Sequence, residues 1–298
     1  MSAETEIDAV VVSYNSRATL RGCVEPLAAM AAVNPVVVDN ASPDDPLDVV
    51  ADLAVEIVRA PRNGGFSYGC NLGAARGSAP YVLFLNPDAR IDEASLRALR
   101  DALAADPTAG LAGPRILDED GGLLLTQRRF PRPLSTAAQA LFLQRLLPRA
   151  SWTDELVRDP AAYATQGAPD WISGACMLVK REAFEAIGGF DEGFFLYCED
   201  ADICKRLADG GWTTRFEPAA VAWHEEGSSA PRSALLAVHA RSRVRYARKH
   251  LRPVRAALDA AAVALGAATH AVANLWRLPV ARGHVRALRA VVTGREGI

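Results

Sequence analysis

The chain has 298 residues, half of them hydrophobic and 23% charged, which excludes a disordered or collagen-like polymer and leaves room for one large α/β domain or a domain with an appendage. The formal net charge of −2 conceals an asymmetry: residues 1–231 carry 20 Lys+Arg and 33 Asp+Glu, whereas residues 232–298 carry 13 and 2. Five cysteines (Cys23, Cys70, Cys176, Cys198, Cys204) without a C-x-x-C pair argue against a disulfide framework or a zinc site and for a reducing cytosol.

The acidic N-terminus runs directly into a strand without the regions of a signal peptide, so a cytoplasmic protein is expected. Residues 9–14 and 35–40 are short, β-branched, continuously apolar runs that end in polar residues, the pattern of buried parallel strands. Residues 18–32 between them have helix-forming composition, so the three make a right-handed βαβ unit. Ile57-Val58 and residues 81–85 supply further strands, with a helix end at 74–78 between them. Ligands of such sheets bind at the carboxyl ends of the strands, where Asn15, Asp39 and Asp88 fall.

Residues 94–105 read as a helix and 109–114 as a small strand or turn. Residues 118–170 are of mixed polarity, with an apolar helix candidate at 137–147, and read as an insertion or flap. Residues 171–180 come next as a strand, 181–187 as a helix stopped by Gly188-Gly189, and 200–208 as a helix closed by Gly210-Gly211. Two short strands are expected at 215–218 and 221–223. From Ser233 onward the composition is helical, rich in Ala and Arg, and cut by Pro253 and Pro279. Residues 256–276 are apolar but contain Asp259, His270 and Asn274, a poor membrane span and a better basic amphipathic helix on a membrane surface. A solvated helical appendage packed on the body is the competing reading. The division is thus 1–231 as the main domain and 232–298 as a basic helical segment.

Several residues carry candidate chemistry. An acid at the mouth of a buried strand is costly unless it meets a cation or a substrate, which makes Asp88 in Asn86-Pro87-Asp88 a metal-ligand candidate; a plain turn after a strand is the alternative. Gly64 and Gly65 allow the chain to pass close to a ligand, and Asn63 and Asn71 add amides, yet the glycine spacing does not match the dinucleotide fingerprint. Asp39 suits hydrogen bonds to a base or ribose, or alternatively a turn. Glu199 and Asp200 open a helix, where backbone N–H groups favour carboxylates in any protein; Asp202 and Arg206 read as a pair one turn apart.

In order along the chain, Val12-Ser13-Tyr14-Asn15, Val38-Asp39-Asn40-Ala41-Ser42, Asn63-Gly64-Gly65-Phe66, Asn71-Leu72-Gly73, Leu85-Asn86-Pro87-Asp88, Gly174-Ala175, Gly188-Gly189-Phe190-Asp191-Glu192, Glu199-Asp200-Ala201-Asp202 and His224 resemble the inverting glycosyltransferases of family 2, rhamnosyltransferase-like subset, over residues 8–230. The resemblance implies a GT-A type α/β fold, a mainly parallel Rossmann-like sheet flanked by helices, with a C-terminal helical extension. It implies donor contacts from Ser13, Tyr14, Asn15, Asp39, Asn63, Gly64, Gly65, Asn71, Asn86 and Asp88. Trp171, Gly174, Asp191 and Glu199 would shape the acceptor side, 118–170 serving as acceptor flap, and Asp200 would be the general base. Asp88 takes the place of the second acid of the family's Asp-x-Asp motif and Asn86 that of the first; with His224 they would hold Mg²⁺ or Mn²⁺.

The reaction implied by the resemblance is transfer of a sugar, L-rhamnose from dTDP-rhamnose, to a glycan or polyprenyl-diphosphate-linked glycan in cell-envelope polysaccharide synthesis. A UDP-hexose or UDP-N-acetylhexosamine transferase, or an inactive sugar-nucleotide-binding protein, stays open. No nucleic-acid partner is expected, and a homodimer is allowed. The basic segment is expected to touch anionic lipid at the inner face of the plasma membrane through Arg241, Arg243, Arg245, Arg248 and Lys249.

Overall fold

The computed structural model describes residues 5–225 and 232–293. Valine-rich β1 (Ile7–Ser13), α1 (Arg17–Ala28) and β2 (Val33–Asp39) form the expected βαβ unit, and β3 (Glu56–Arg59), α2 (Phe66–Ala74) and β4 (Tyr81–Leu85) continue it. α1 buries Leu20, Cys23, Val24 and Leu27, one stripe at helical spacing, in the core. Next come β5 (Ala89–Ile91), α3 (Glu93–Ala105), β6 (Ala109–Leu117), β7 (Leu123–Leu124) and β8 (Gln127–Arg128). The Asp92 side chain caps α3 by accepting from Ser95 N at 2.7 Å. After α4 (Pro133–Ala140) and α5 (Leu143–Leu146), the chain returns through β9 (Trp171–Ile172), β10 (Cys176–Lys180), α6 (Arg181–Ala186), α7 (Glu199–Asp209) and β11 (Thr213–His224). Three helices complete the chain: α8 (Arg232–His250), α9 (Pro253–Ala273) and α10 (Leu278–Thr293).

The main sheet is mixed, in the order β3-β2-β1-β4-β10-β6-β11-β5, with β7 on β6. It is parallel from β3 to β4, antiparallel where β10 enters between β4 and β6, and parallel again between β6 and β11. β8 and β9 form a separate two-stranded ribbon.

The differences from the sequence reading have local causes. The glycine-rich stretch itself forms a helix, α2, which closes at Ala74, where the sequence reading has only a helix end over 74–78. A Cβ on Gly69 would lie 2.6 Å from Val12 Cγ1, and one on Gly73 2.3 Å from Val10 Cγ1, so these glycines let the helix lie directly on β1. Gly73→Ala is therefore expected to push α2 off the sheet and cost about 1–3 kcal/mol, read as a lower urea midpoint at unchanged slope. Residues 109–114 belong to a nine-residue inner strand, β6. The two short strands at 215–218 and 221–223 are one, β11; a register shift between Glu217 and Val221 absorbs Pro218 in a bulge. The segment 171–180 is instead split at 173–175 into β9 and β10. The five cysteines are buried and, among the described residues, form no disulfide.

The chain folds into two compact units. Among the described residues the first contains 5–128, 160–193 and 199–225, with both sheets. The second contains 129–159, 194–198 and 232–293, so 118–170 is divided between them. The boundary expected at 231 lies outside the described residues.

In the second unit α9 packs on α4, α8 and α10, and Ala240, Ala267 and Ala287 meet in a small-residue core. A polar cluster is buried there too. Arg243, 8% exposed, donates from Nη1 to Glu155 Oε2 at 2.8 Å and pairs again through Nη2 and Oε1. Its Nη2 also reaches Thr136 Oγ1 at 2.7 Å, and Thr136 Oγ1 lies 2.6 Å from Asp259 Oδ1. Arg243 is thus unavailable to lipid, contrary to the expectation from charge alone, and Arg245 and Lys249 lie over the Phe194 ring.

Candidate active site

Register aligns the carboxyl ends of the parallel strands: Ser13 pairs with Asp39, and Asp39 with Arg59. Ser13 is buried with its Oγ 2.7 Å from Ser16 Oγ, while Tyr14 is exposed. Asn15 takes a left-handed φ of 53° and donates its N–H to Ser42 Oγ at 2.6 Å. Asp39 accepts from Ser42 N at 2.9 Å and has the Arg59 guanidinium 3.8 Å away. Asn40 holds the next turn by donating to Asn63 Oδ1 (3.0 Å) and Gly65 O (3.1 Å) and accepting from Gly64 N (3.2 Å). Gly65, at φ 88°, then starts α2. Asn71 is engaged on the other side. Its amide donates to Phe190 O (2.9 Å) and Glu192 Oε1 (3.0 Å) and accepts from Phe190 N (2.9 Å), while Asp191 accepts from Gly193 N (2.8 Å). These contacts make Asn71 and Asp191 braces of the 190–193 turn.

Beyond β4 the chain bends through Asn86-Pro87-Asp88 into β5. Antiparallel pairing sets Ala89 opposite His224, and Glu225 N donates to Asp88 O at 3.0 Å. Residues 136 positions apart therefore meet: His224 Nε2 is 3.1 Å from Asp88 Oδ1 and 3.3 Å from Asn86 Nδ2. One ring nitrogen cannot donate to the carboxylate and accept from the amide at once. A divalent cation held by the carboxylate, the imidazole and the amide oxygen would satisfy all three, so the donor set fits such an ion. Among the described residues no three His, Cys, Asp or Glu side chains converge on one point, so the remaining ligands would come from substrate phosphates and water.

Asn86 N donates to Ala175 O at 3.0 Å, and the neighbouring Gly174 N donates to Asp200 Oδ2 at 3.2 Å. Residues 174–175 thus join the Asp88–His224 pair to the N-terminus of α7. Ala201 N donates to Asp200 Oδ1 at 2.8 Å. Two consecutive non-glycine residues with left-handed φ, Tyr197 (69°) and Cys198 (64°), precede α7, backbone strain of the kind found at functional sites.

Burial raises the pKa of both acids, and the Asp200 charge raises that of Glu199 further. Glu199 Oε2 is buried with no hydrogen-bond partner among the described residues, so the proton of the pair resides on Glu199 and Asp200 carries the charge. Asp202 is held by Arg206 at 2.8 Å, the structural pairing expected of it.

Sequence reasoning misses Arg128. β8–β9 register sets it opposite Trp171, its guanidinium 5.3 Å from that ring, and its charge favours ionised Asp200. Only the aromatic across a two-residue ribbon marks it, a signal that needs the pairing to be seen.

A mixed sheet with a strand-end acid, an imidazole and a helix-borne carboxylate joined through one short loop defines a glycosyltransferase of the GT-A class. The chain belongs to glycosyl transferase family 2, whose family model matches residues 8–188. It is a hexosyltransferase of the rhamnosyltransferase-like group. Over 240 residues it is 32% identical to the N-acetylglucosaminyl-diphospho-decaprenol L-rhamnosyltransferase of Mycobacterium tuberculosis, covering 75% of this chain and 78% of that protein. Its fold is that of the mannosyltransferase from Pyrobaculum calidifontis in complex with GDP-Man and Mn²⁺ (TM-score 0.59, 16% identity, 99% of this chain and 89% of that one). GalNAc-T7 with UDP, GalNAc and Mn²⁺ shares it as well (TM-score 0.57, 16% identity, 83% and 48%).

Proposed function

We propose that the protein transfers L-rhamnose from dTDP-rhamnose, with inversion, to an N-acetylglucosamine-bearing polyprenyl diphosphate in cell-envelope polysaccharide synthesis, working at the cytoplasmic face of an anionic membrane. The observation that carries the chemistry is the half-buried Asp200 held by the Gly174 and Ala201 amides, one loop from Asp88 and His224. The similarity to the mycobacterial rhamnosyltransferase supports the choice of sugar and acceptor.

Asp39 and the 13–15 segment receive the nucleoside at the strand ends. Asp88, His224 and Asn86 would hold Mg²⁺ or Mn²⁺, which would supply positive charge against that growing on the departing diphosphate. Asp200 takes the acceptor hydroxyl proton as that oxygen bonds to the anomeric carbon from the face opposite the diphosphate. The bond from carbon to phosphate oxygen breaks in the same step, and nucleoside diphosphate leaves.

The test is release of nucleoside diphosphate from a panel of dTDP-, UDP- and GDP-sugars with a lipid-linked N-acetylglucosamine acceptor. Release confined to dTDP-rhamnose is expected; preference for a UDP-sugar replaces the donor assignment, and release from none of them leaves a binding protein. EDTA should remove turnover by about 10²-fold or more, and Mn²⁺ or Mg²⁺ should restore it. Turnover unchanged by EDTA defeats the metal assignment.

A further inference from the structure

An amphipathic helix on a water-facing surface turns its apolar stripe inward. α9 has an inner side of small residues and turns its larger apolar residues outward. Its only acid, Asp259, is 0% exposed and lies beside Thr136 and Arg243. Val254, Leu258, Leu265 and Val272 instead face outward, within about 40° of one another at 100° per residue. Between Arg255 and Arg277 the sequence has no Asp, Glu, Lys or Arg other than Asp259, so no charge interrupts the stripe.

The apolar surface continues past the helix end. At the corner before α10, Leu275, Trp276 and Leu278 are exposed, Trp276 by 73%; its Nε1 donates to Ala273 O (3.0 Å) and Arg277 lies 4.2 Å from its ring centre. Phe142 stacks on His270 at 4.4 Å, which brings Leu141, Leu146 and Leu147 to this end of α9, Leu146 being 76% exposed. Among the described residues, 15 of the 18 exposed large apolar side chains belong to this unit, whereas chance exposure would scatter them.

Charge identifies the occupant. From 251 to 293 the only acid is the buried Asp259, and Arg252, Arg255, Arg277, Arg282, Arg286 and Arg289 are all exposed. An apolar stripe rimmed by cations alone complements acyl chains beneath anionic headgroups. Two copies of such a face would repel at their rims. α9 is long and apolar enough to cross a membrane by length and composition. Its inner side, however, packs on α4, α8 and α10 and carries the ion cluster, which a span would have to draw into hydrocarbon.

We propose that the outward stripe of α9 and the α9–α10 corner dock on an anionic lipid monolayer, with α9 lying in the plane of the interface. The docking rests on the lipid-linked acceptor reading only for its cellular purpose. Its assay uses no sugar nucleotide and no acceptor, so either can fail while the other stands.

The full chain is floated with vesicles of phosphatidylcholine alone and of equal parts phosphatidylcholine and phosphatidylglycerol. Flotation with the anionic vesicles, weakened by salt, is expected. The exposed double variant Leu258→Glu/Leu265→Glu, its fold checked by circular dichroism, should bind about tenfold less or weaker still. Brominated lipid should quench wild-type tryptophan emission and lose most of that effect in Trp276→Phe. The proposal is overturned by absent or charge-independent flotation, by equal binding of the double variant, or by resistance to carbonate extraction, which marks a span. Light scattering that shows a dimer broken by Leu258→Glu/Leu265→Glu, without lipid binding, assigns the face to a second copy and also overturns it.

Discussion

Replacing Asp200 by asparagine is expected to lower turnover by about 10²–10⁴-fold while leaving sugar-nucleotide affinity close to that of the native protein. The carboxylate is oriented by Ala201 N and Gly174 N at the start of α7, and burial keeps its basicity above the ordinary value against the pull of these amides and of Arg128. Asparagine retains an acceptor for Ala201 but cannot take up a proton. Calorimetry with the donor and nucleoside diphosphate release measure the two halves. An equal fall in affinity, or near-normal turnover, sinks the assignment.

The pH dependence has a definite sign. Burial lifts the Asp200 pKa, and only the ionised form accepts a proton, so turnover rises with pH through a value above the usual carboxylate range. For stability the same lift acts in the opposite sense. An acid whose folded pKa lies above its unfolded one destabilises the fold as pH rises through that window. Asp200→Asn should therefore be more stable than the native protein at neutral pH, a trade between activity and stability.

Arg243→Ala is expected to be the most destabilising single change in the helical unit, by about 3–5 kcal/mol, because it strands two buried carboxylates. Glu155 loses both its hydrogen bonds to the guanidinium, and Asp259, its pKa already raised by burial against the pull of Arg243, loses its cation. The deficit should shrink as pH falls: the folded pKa of Asp259 already lies above its unfolded one and loses the opposing pull of Arg243, so protonation removes its share of the penalty. Replacing the cluster as a whole, Arg243→Met with Glu155→Leu and Asp259→Leu, should recover much of the loss. Urea unfolding across pH, followed by a probe in each unit, measures this; an Arg243→Ala midpoint equal to that of the native protein would refute the role given to the cluster.

The parallel strands are legible because the runs 9–12 and 35–38 in β1 and β2 are continuously apolar and valine-rich and β4 is apolar throughout, the mark of burial on both faces. α2 is not, since Gly69 and Gly73 lower helix propensity and their purpose, room for Val12 and Val10, appears only once the helix lies on β1. The meeting of Asp88 with His224 is expected from family resemblance, not from spacing; the β5–β11 register supplies the physical cause. Arg128 and Arg243 show the opposite limit. Each reads as one more surface cation, and only a partner distant in sequence, Trp171 across a ribbon or Glu155 across 88 residues, reveals what it does.

That last separation bears on how the protein is made. Residues 129–159 leave the ribosome well before α8, and at about 5–20 residues per second Glu155 waits roughly 5–20 s for the arginine that neutralises it. Throughout that interval α4 has neither α9 to cover it nor a cation for its acidic neighbour. The three C-terminal helices are thus the closing half of a unit begun about a hundred residues earlier, whose apolar surface stays exposed in the meantime. A chain cut short before α8 would present 129–159 as an unfinished surface to the cell's proteases.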